Sequence, residues 1–155
     1  MPEELQQELE QELSRSEQFE NIIAREDKIT IADFLNNQNI SDVANLIYEH
    51  EEYEAQIIAS LSIHRASSVF KILDLAEQKR IITELPPFKT AELLNEMSAD
   101  DRTDFLEELP SSVVREFIKL LNPSERKTTL SLLGYPENSV GRMMTPDYVW
   151  VYEHN

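Results

Sequence analysis

Asp100, Asp101 and Asp104 are the carboxylates whose spacing invites a chemical reading. Asp100 and Asp104 are four residues apart, so on a helix they share one face. Like charges held there repel unless a cation sits near. A hard divalent ion that keeps most of its waters needs only one or two protein carboxylates. The same residues have a plainer use. At the start of a helix, Asp100 and Asp101 stabilise its positive end, and Asp104 is then a solvated acid. Spacing alone favours that plainer use. Glu3, Glu4, Glu51, Glu52, Glu107 and Glu108 read as solvated faces.

Other reactive groups are few. Histidine occurs only as His50, His64 and His154. The run His50-Glu51-Glu52-Tyr53-Glu54 begins like a zincin motif but has Glu54 where the second histidine must stand. His64 reads as a surface residue. No serine lies in a nucleophile elbow, and no Ser/His/Asp set emerges. The chain has no cysteine, which excludes disulfides, thiolate metal sites and thiol nucleophiles. Its two glycines, Gly134 and Gly141, are isolated, so no glycine-rich phosphate loop can be built. The expectation is a protein that is not an enzyme.

Thirty acidic residues face fourteen basic ones in 155 residues, a formal net charge of −16. Such a polyanion is repelled by nucleic acid and by anionic membrane surfaces, and attracts cations and basic partners. The N-terminus lacks a basic region followed by an apolar run, so it is no secretory signal. Apolar stretches stop far short of the roughly 20 residues that span a bilayer. Any membrane-spanning part is expected outside this chain.

The elements that must hold these residues are helices in a repeat. Residues 3–27 read as one acidic leading helix with Leu5, Leu9 and Leu13 in register, and a short helix follows over Thr30–Asn37. From about residue 41 the chain matches itself at a shift of 24. Ile58, Ile82, Leu106 and Leu130 form one column; Leu46, Phe70, Leu94 and Ile118 another. Leu61, Leu85, Leu109 and Leu133 align, as do Val69, Leu93 and Phe117, and Leu73, Met97 and Leu121. Each unit holds two apolar clusters separated by a polar break, which is a pair of short helices. Neither helix buries its face alone, so neighbouring pairs must stack. The spacing predicts helices over 41–49, 52–60, 65–73, 76–85, 88–97, 99–109, 112–121 and 123–133. Asn122 before Pro123 reads as an N-cap, and Ser98 to Asp101 as a capping box with aspartate in place of glutamate. The fold class is all-α: a superhelical stack of short helix hairpins. After Gly134 the pattern changes to a loop at Tyr135–Ser139, a short helical turn over Ser139–Met144 and a strand over Asp147–Val151. A lone strand lacks a partner, so a second domain is expected to begin there.

The run LPPFKTAELLNEMSADDRTDFLEELP, with LLNPSERKTTLSLLGYPENSVGRMMTPDYVWV after it, resembles the cytoplasmic N domain of MgtE-type magnesium transporters. The resemblance covers about residues 30–151. The helical repeat is less specific, because the flagellar motor switch protein carries a related module. A non-catalytic protein–protein scaffold of that type is the alternative. The ending around Met143-Met144-Thr145-Pro146 is specific, resembling the passage into the family's first CBS domain.

Residues 1–29, outside the resemblance, are an acidic helix read from the sequence; the resemblance implies the N domain over 30–138 and over 139–155 a junction with the first strand of a CBS domain. It implies a homodimeric transporter at the cytoplasmic side of the cell membrane, with CBS domains and a transmembrane pore as partners. It also implies Mg²⁺, bound weakly as a regulator between N and CBS domains, which keeps the pore shut. Asp100 and Asp104 carry over as metal ligands. A further acidic ligand of some members falls where this chain has Ser68.

Overall fold

The computed structural model describes residues 2–4 and 14–135. The readings for Leu5, Leu9, Leu13 and His154, and those for the helical turn and strand after Pro136, lie outside the described residues. What is described is helical, with no strand among the described residues, and it forms two compact units divided between Leu85 and Pro86. No described helix is long and apolar enough to cross a membrane.

The N-terminal unit holds α1 (Ser14–Ala24), α2 (Lys28–Asn36), α3 (Ile40–Glu49), a 3-10 turn (Glu51–Tyr53), α4 (Glu54–Ser60), α5 (Ile63–Ile72) and α6 (Leu75–Glu84). The leading helix was expected to run to residue 27. It stops at Ala24 because Glu26 adopts a left-handed backbone, φ 57°, which ends a right-handed helix. Asp27 then caps α2, its side chain accepting from the amides of Ile29 (3.0 Å) and Thr30 (3.4 Å) and from the Thr30 hydroxyl (2.7 Å). These bonds, the Thr30 hydroxyl first, pull the Asp27 carboxyl below its ordinary value.

Alternate helices pack together: α2 on α4, α3 on α5, α4 on α6. That is the physical content of the 24-residue shift, since one period is two helices. The columns Leu46/Phe70 and Ile58/Ile82 are buried accordingly. Phe19 of α1 is also buried, 5.0 Å from the His50 ring and 6.0 Å from Tyr53.

The C-terminal unit holds α7 (Pro87–Glu96), α8 (Ala99–Glu107), α9 (Ser111–Lys119) and α10 (Pro123–Leu132). Prolines occupy the N-cap of α7 and α9 and the first helical position of α7 and α10, where the absent N–H costs nothing. Here α8 packs on α10, burying Phe105, Leu106 and Leu130. Leu109, Phe117 and Leu133 are only half-buried. Their next-repeat neighbours fall at or beyond residue 133, where the sequence period ends.

Two local expectations are settled differently. Ser98 caps α8 as expected, accepting from the Asp101 amide at 3.2 Å. Asn122 stands at the N-cap of α10 but makes no side-chain cap bond. Its backbone N–H instead donates to Asn95 Oδ1 at 2.7 Å. Asn95 also donates to the carbonyls of Ala91 (2.8 Å) and Leu120 (3.0 Å), clipping α7 to the turn before α10. Asn36 repeats the clip in the N-terminal unit. It donates to Ala32 and Ser60 carbonyls and accepts from the Ser62 amide.

Candidate cation-binding face

The orientation of α8 is fixed from inside. Arg102, Thr103, Phe105 and Leu106 are buried. With 3.6 residues per turn, burying these positions turns Asp100, Asp104, Glu107 and Glu108 outward, and all four are exposed. Asp100 and Asp104 therefore lie together on one acidic face of α8. Among the described residues, no group of three or more acids and histidines is arranged to hold a metal ion. Two carboxylates alone would give a divalent ion only a fraction of its usual six oxygens. Asp100 and Asp101 also occupy the first turn of α8, so they stabilise its positive end as well. Ser68 is half-buried and bonds to the His64 carbonyl at 3.1 Å. His64 is exposed, as its sequence context indicates. His50 is buried, in hydrogen-bond contact with Ser16 at 2.7 Å.

Arg102 is what holds the face in place, and sequence reasoning passed over it. Its side chain is fully buried, at 0% exposure. It donates to the carbonyls of Leu94 (2.6 Å), Met97 (2.7 Å) and Asn95 (3.2 Å), and to the Thr129 hydroxyl (2.9 Å). Glu125 pairs with it at 3.0 Å. The last carbonyls of a helix have no partner within the helix, so Arg102 closes the end of α7 while standing on α8. The same clasp recurs 24 residues later, where Arg126 reaches the carbonyls of Ile118 (3.2 Å), Lys119 (3.4 Å) and Leu121 (2.9 Å). Gln78 does it 24 residues earlier, reaching the Phe70 carbonyl at 2.7 Å. The signal was a polar column at 78, 102 and 126 inside the apolar register.

One step further back that column reads Glu54, whose ionised carboxylate would have no hydrogen to offer a helix-end carbonyl. Glu54 is buried, 2% exposed, and turns to Arg80 of α6 at 3.2 Å. Glu77, 6% exposed, accepts from Nη2 of the same guanidinium. Glu51 stands 3.8 Å from it.

Comparison with known proteins adds to this geometry. The MgtE intracellular N domain family matches residues 38–138. The magnesium transporter MgtE of Bacillus subtilis (strain 168) is 28% identical over 104 residues, which is 67% of this chain and 23% of that protein. The chain thus spans about a quarter of that relative's length. With a family match over most of the chain and a helix-pair repeat beneath it, the chain belongs to the MgtE intracellular N domain family.

Proposed function

We propose that this chain is the magnesium-sensing regulatory part of a magnesium transporter. The observation that carries the proposal is the outward acidic face of α8, with Asp100 and Asp104 side by side, in a member of this family. Mg²⁺ prefers six oxygens in near-octahedral geometry and gives up water reluctantly. Two exposed carboxylates therefore bind it weakly on their own. A facing CBS domain of the same protein would complete the shell, and the ion would then bridge the two surfaces.

The bridging ion stabilises the closed arrangement by its differential affinity for it. Without the ion, the acids repel over about 8 Å at physiological salt, the surfaces part, and the pore is released. In this reading residues 30–138 are the sensor and 139–155 lead into the first CBS domain. The complete protein is a homodimer at the cytoplasmic face of the cell membrane. The chain carries out no catalysis.

Calorimetric titration of Mg²⁺ tests this, comparing this chain with a version extended through the CBS pair. The extended protein is expected to bind more tightly, and Asp100→Ala and Asp104→Ala to weaken that binding. Equal affinities in the two lengths, or no effect of the substitutions in the longer one, would refute the assignment.

A further inference from the structure

The Glu54–Glu77 pair carries a second inference, independent of the α8 face and in the other unit. The two carboxyls lie within hydrogen-bonding reach of each other and share Arg80. Arg80 takes one oxygen of each. The remaining oxygens, Glu54 Oε2 and Glu77 Oε2, are both buried without a hydrogen-bond partner. Two buried acceptors without partners are expensive, because a buried polar atom without a partner forfeits its hydration. A bridging water would satisfy both oxygens but leave two buried negative charges facing one guanidinium. A proton on either carboxyl supplies the missing donor and removes one of those charges.

We propose that Glu54 and Glu77 hold one proton in common, making the N-terminal unit a proton-responsive element whose α4–α6 packing is tightest with that proton bound.

The surroundings agree. Glu77 and Arg80 of α6 are the charged groups that act on Glu54 directly. From the 3-10 turn, Glu51 reaches Arg80 and adds a third negative charge to the cluster, while Glu52 is exposed. From α3, the hydroxyl of the exposed Tyr48 accepts from the Asp74 amide at 2.9 Å. That N–H is the one a glutamate at the third helical position ordinarily takes, so Glu77 is free to turn inward. Also on α3, Asp42 pairs with Arg15 at 3.1 Å, and Glu49 is exposed. On α2 and α5, Lys28, Asp33, His64 and Lys71 lie at the surface, and Arg65 donates to the carbonyls of Leu35 and Gln38. The buried side chains those helices bring to α4 are apolar, Ile31 and Leu35 from α2, Val69 and Phe70 from α5. Burial first, and then Glu77, push the Glu54 carboxyl up to about 7 from an ordinary value of 4.5.

The direction of the effect follows from linkage. Between about 4.5 and about 7 the folded chain keeps the proton and the unfolded chain loses it. Stability is therefore highest at the acid end of that window and falls as pH rises through it.

Two measurements on the whole chain decide the matter. Carbon-detected titration of the glutamate side chains is expected to show one carboxyl with a midpoint near neutrality, absent in Glu54→Gln. Urea midpoints at constant ionic strength are expected to fall between about pH 5 and pH 8 in the parent, and by clearly less in Glu54→Gln. The three histidines are common to both proteins and cancel in that comparison. Glu77→Gln should behave like Glu54→Gln and serves if the latter does not fold. Every glutamate titrating below about pH 5.5 in the parent, or parallel midpoints in parent and variant, overturns the shared proton.

Discussion

At the scale of single residues, most of the polar work is done by side chains that reach between helices. Asn95 and Asn122 make the point. The sequence offers Asn122 as a cap, and the structure gives the decisive bonds to Asn95, which makes three to α10's entry turn and its own helix. Asn122→Ala is therefore expected to change stability by less than about 0.5 kcal/mol. Asn95→Ala removes the acceptor of the Asn122 amide and two capping donors, and should cost about 1–3 kcal/mol. Denaturant midpoints of the two variants, measured side by side, check the ordering. Asn95 was not legible because its counterpart Asn36 stands 59 residues away, off the 24-residue register. Glu54 was hidden for a different reason. Glu51, Glu52 and Glu54 look alike in sequence, and the 3-10 turn at Glu51–Tyr53 sets the helical phase that sends Glu54 inward.

The helix pair is the scale at which the sequence speaks most clearly. Ile58, Ile82, Leu106 and Leu130 align at 24-residue intervals and are all buried. The period is legible because within each unit helices pack on the next but one, α2 on α4, α3 on α5 and α4 on α6 in the first and α8 on α10 in the second. The outward placement of Asp100 and Asp104 was legible from the same periodicity. Whether they hold an ion was not, since two carboxylates on one helix face serve equally as solvated acids. The polar column at Gln78, Arg102 and Arg126 tests how far the pairs depend on one another. Arg102→Ala would leave three carbonyls at the end of α7 and the Thr129 hydroxyl without their donor. A loss of about 3–5 kcal/mol is expected, as for breaking a buried charge network. Arg102→Lys should recover little, because an ammonium cannot reproduce the fork geometry of a guanidinium. The half-buried Arg126 should cost less, about 1–2 kcal/mol on replacement by alanine, since water can reach its carbonyls. Thermal melts of the three variants would separate these cases, and equal losses for Arg102→Ala and Arg126→Ala would contradict the role given to burial.

At the scale of the whole molecule, a net charge of −16 opposes compactness. Added salt should raise stability by screening, and Mg²⁺ should raise it further wherever carboxylates are poised to share an ion. Asp104 separates the two effects. In the absence of Mg²⁺ it repels Asp100 one turn away, so Asp104→Asn should stabilise the chain slightly, by about 0.2–0.5 kcal/mol. The substitution hardly alters helix propensity, since Asn and Asp rank together. With Mg²⁺ the sign reverses. A site with a dissociation constant of about 1 mM contributes about 1.4 kcal/mol at about 10 mM ion by mass action, and Asp104→Asn should forfeit most of that. Urea midpoints of parent and variant in MgCl₂ and in NaCl at matched ionic strength give the answer. If the Mg²⁺ increment over NaCl is the same in both proteins, the ion is neutralising the surface at large and Asp104 is one solvated acid among thirty. If the two stability curves cross as Mg²⁺ rises, the repulsion built into α8 is what the ion relieves, and Asp104 belongs to the site.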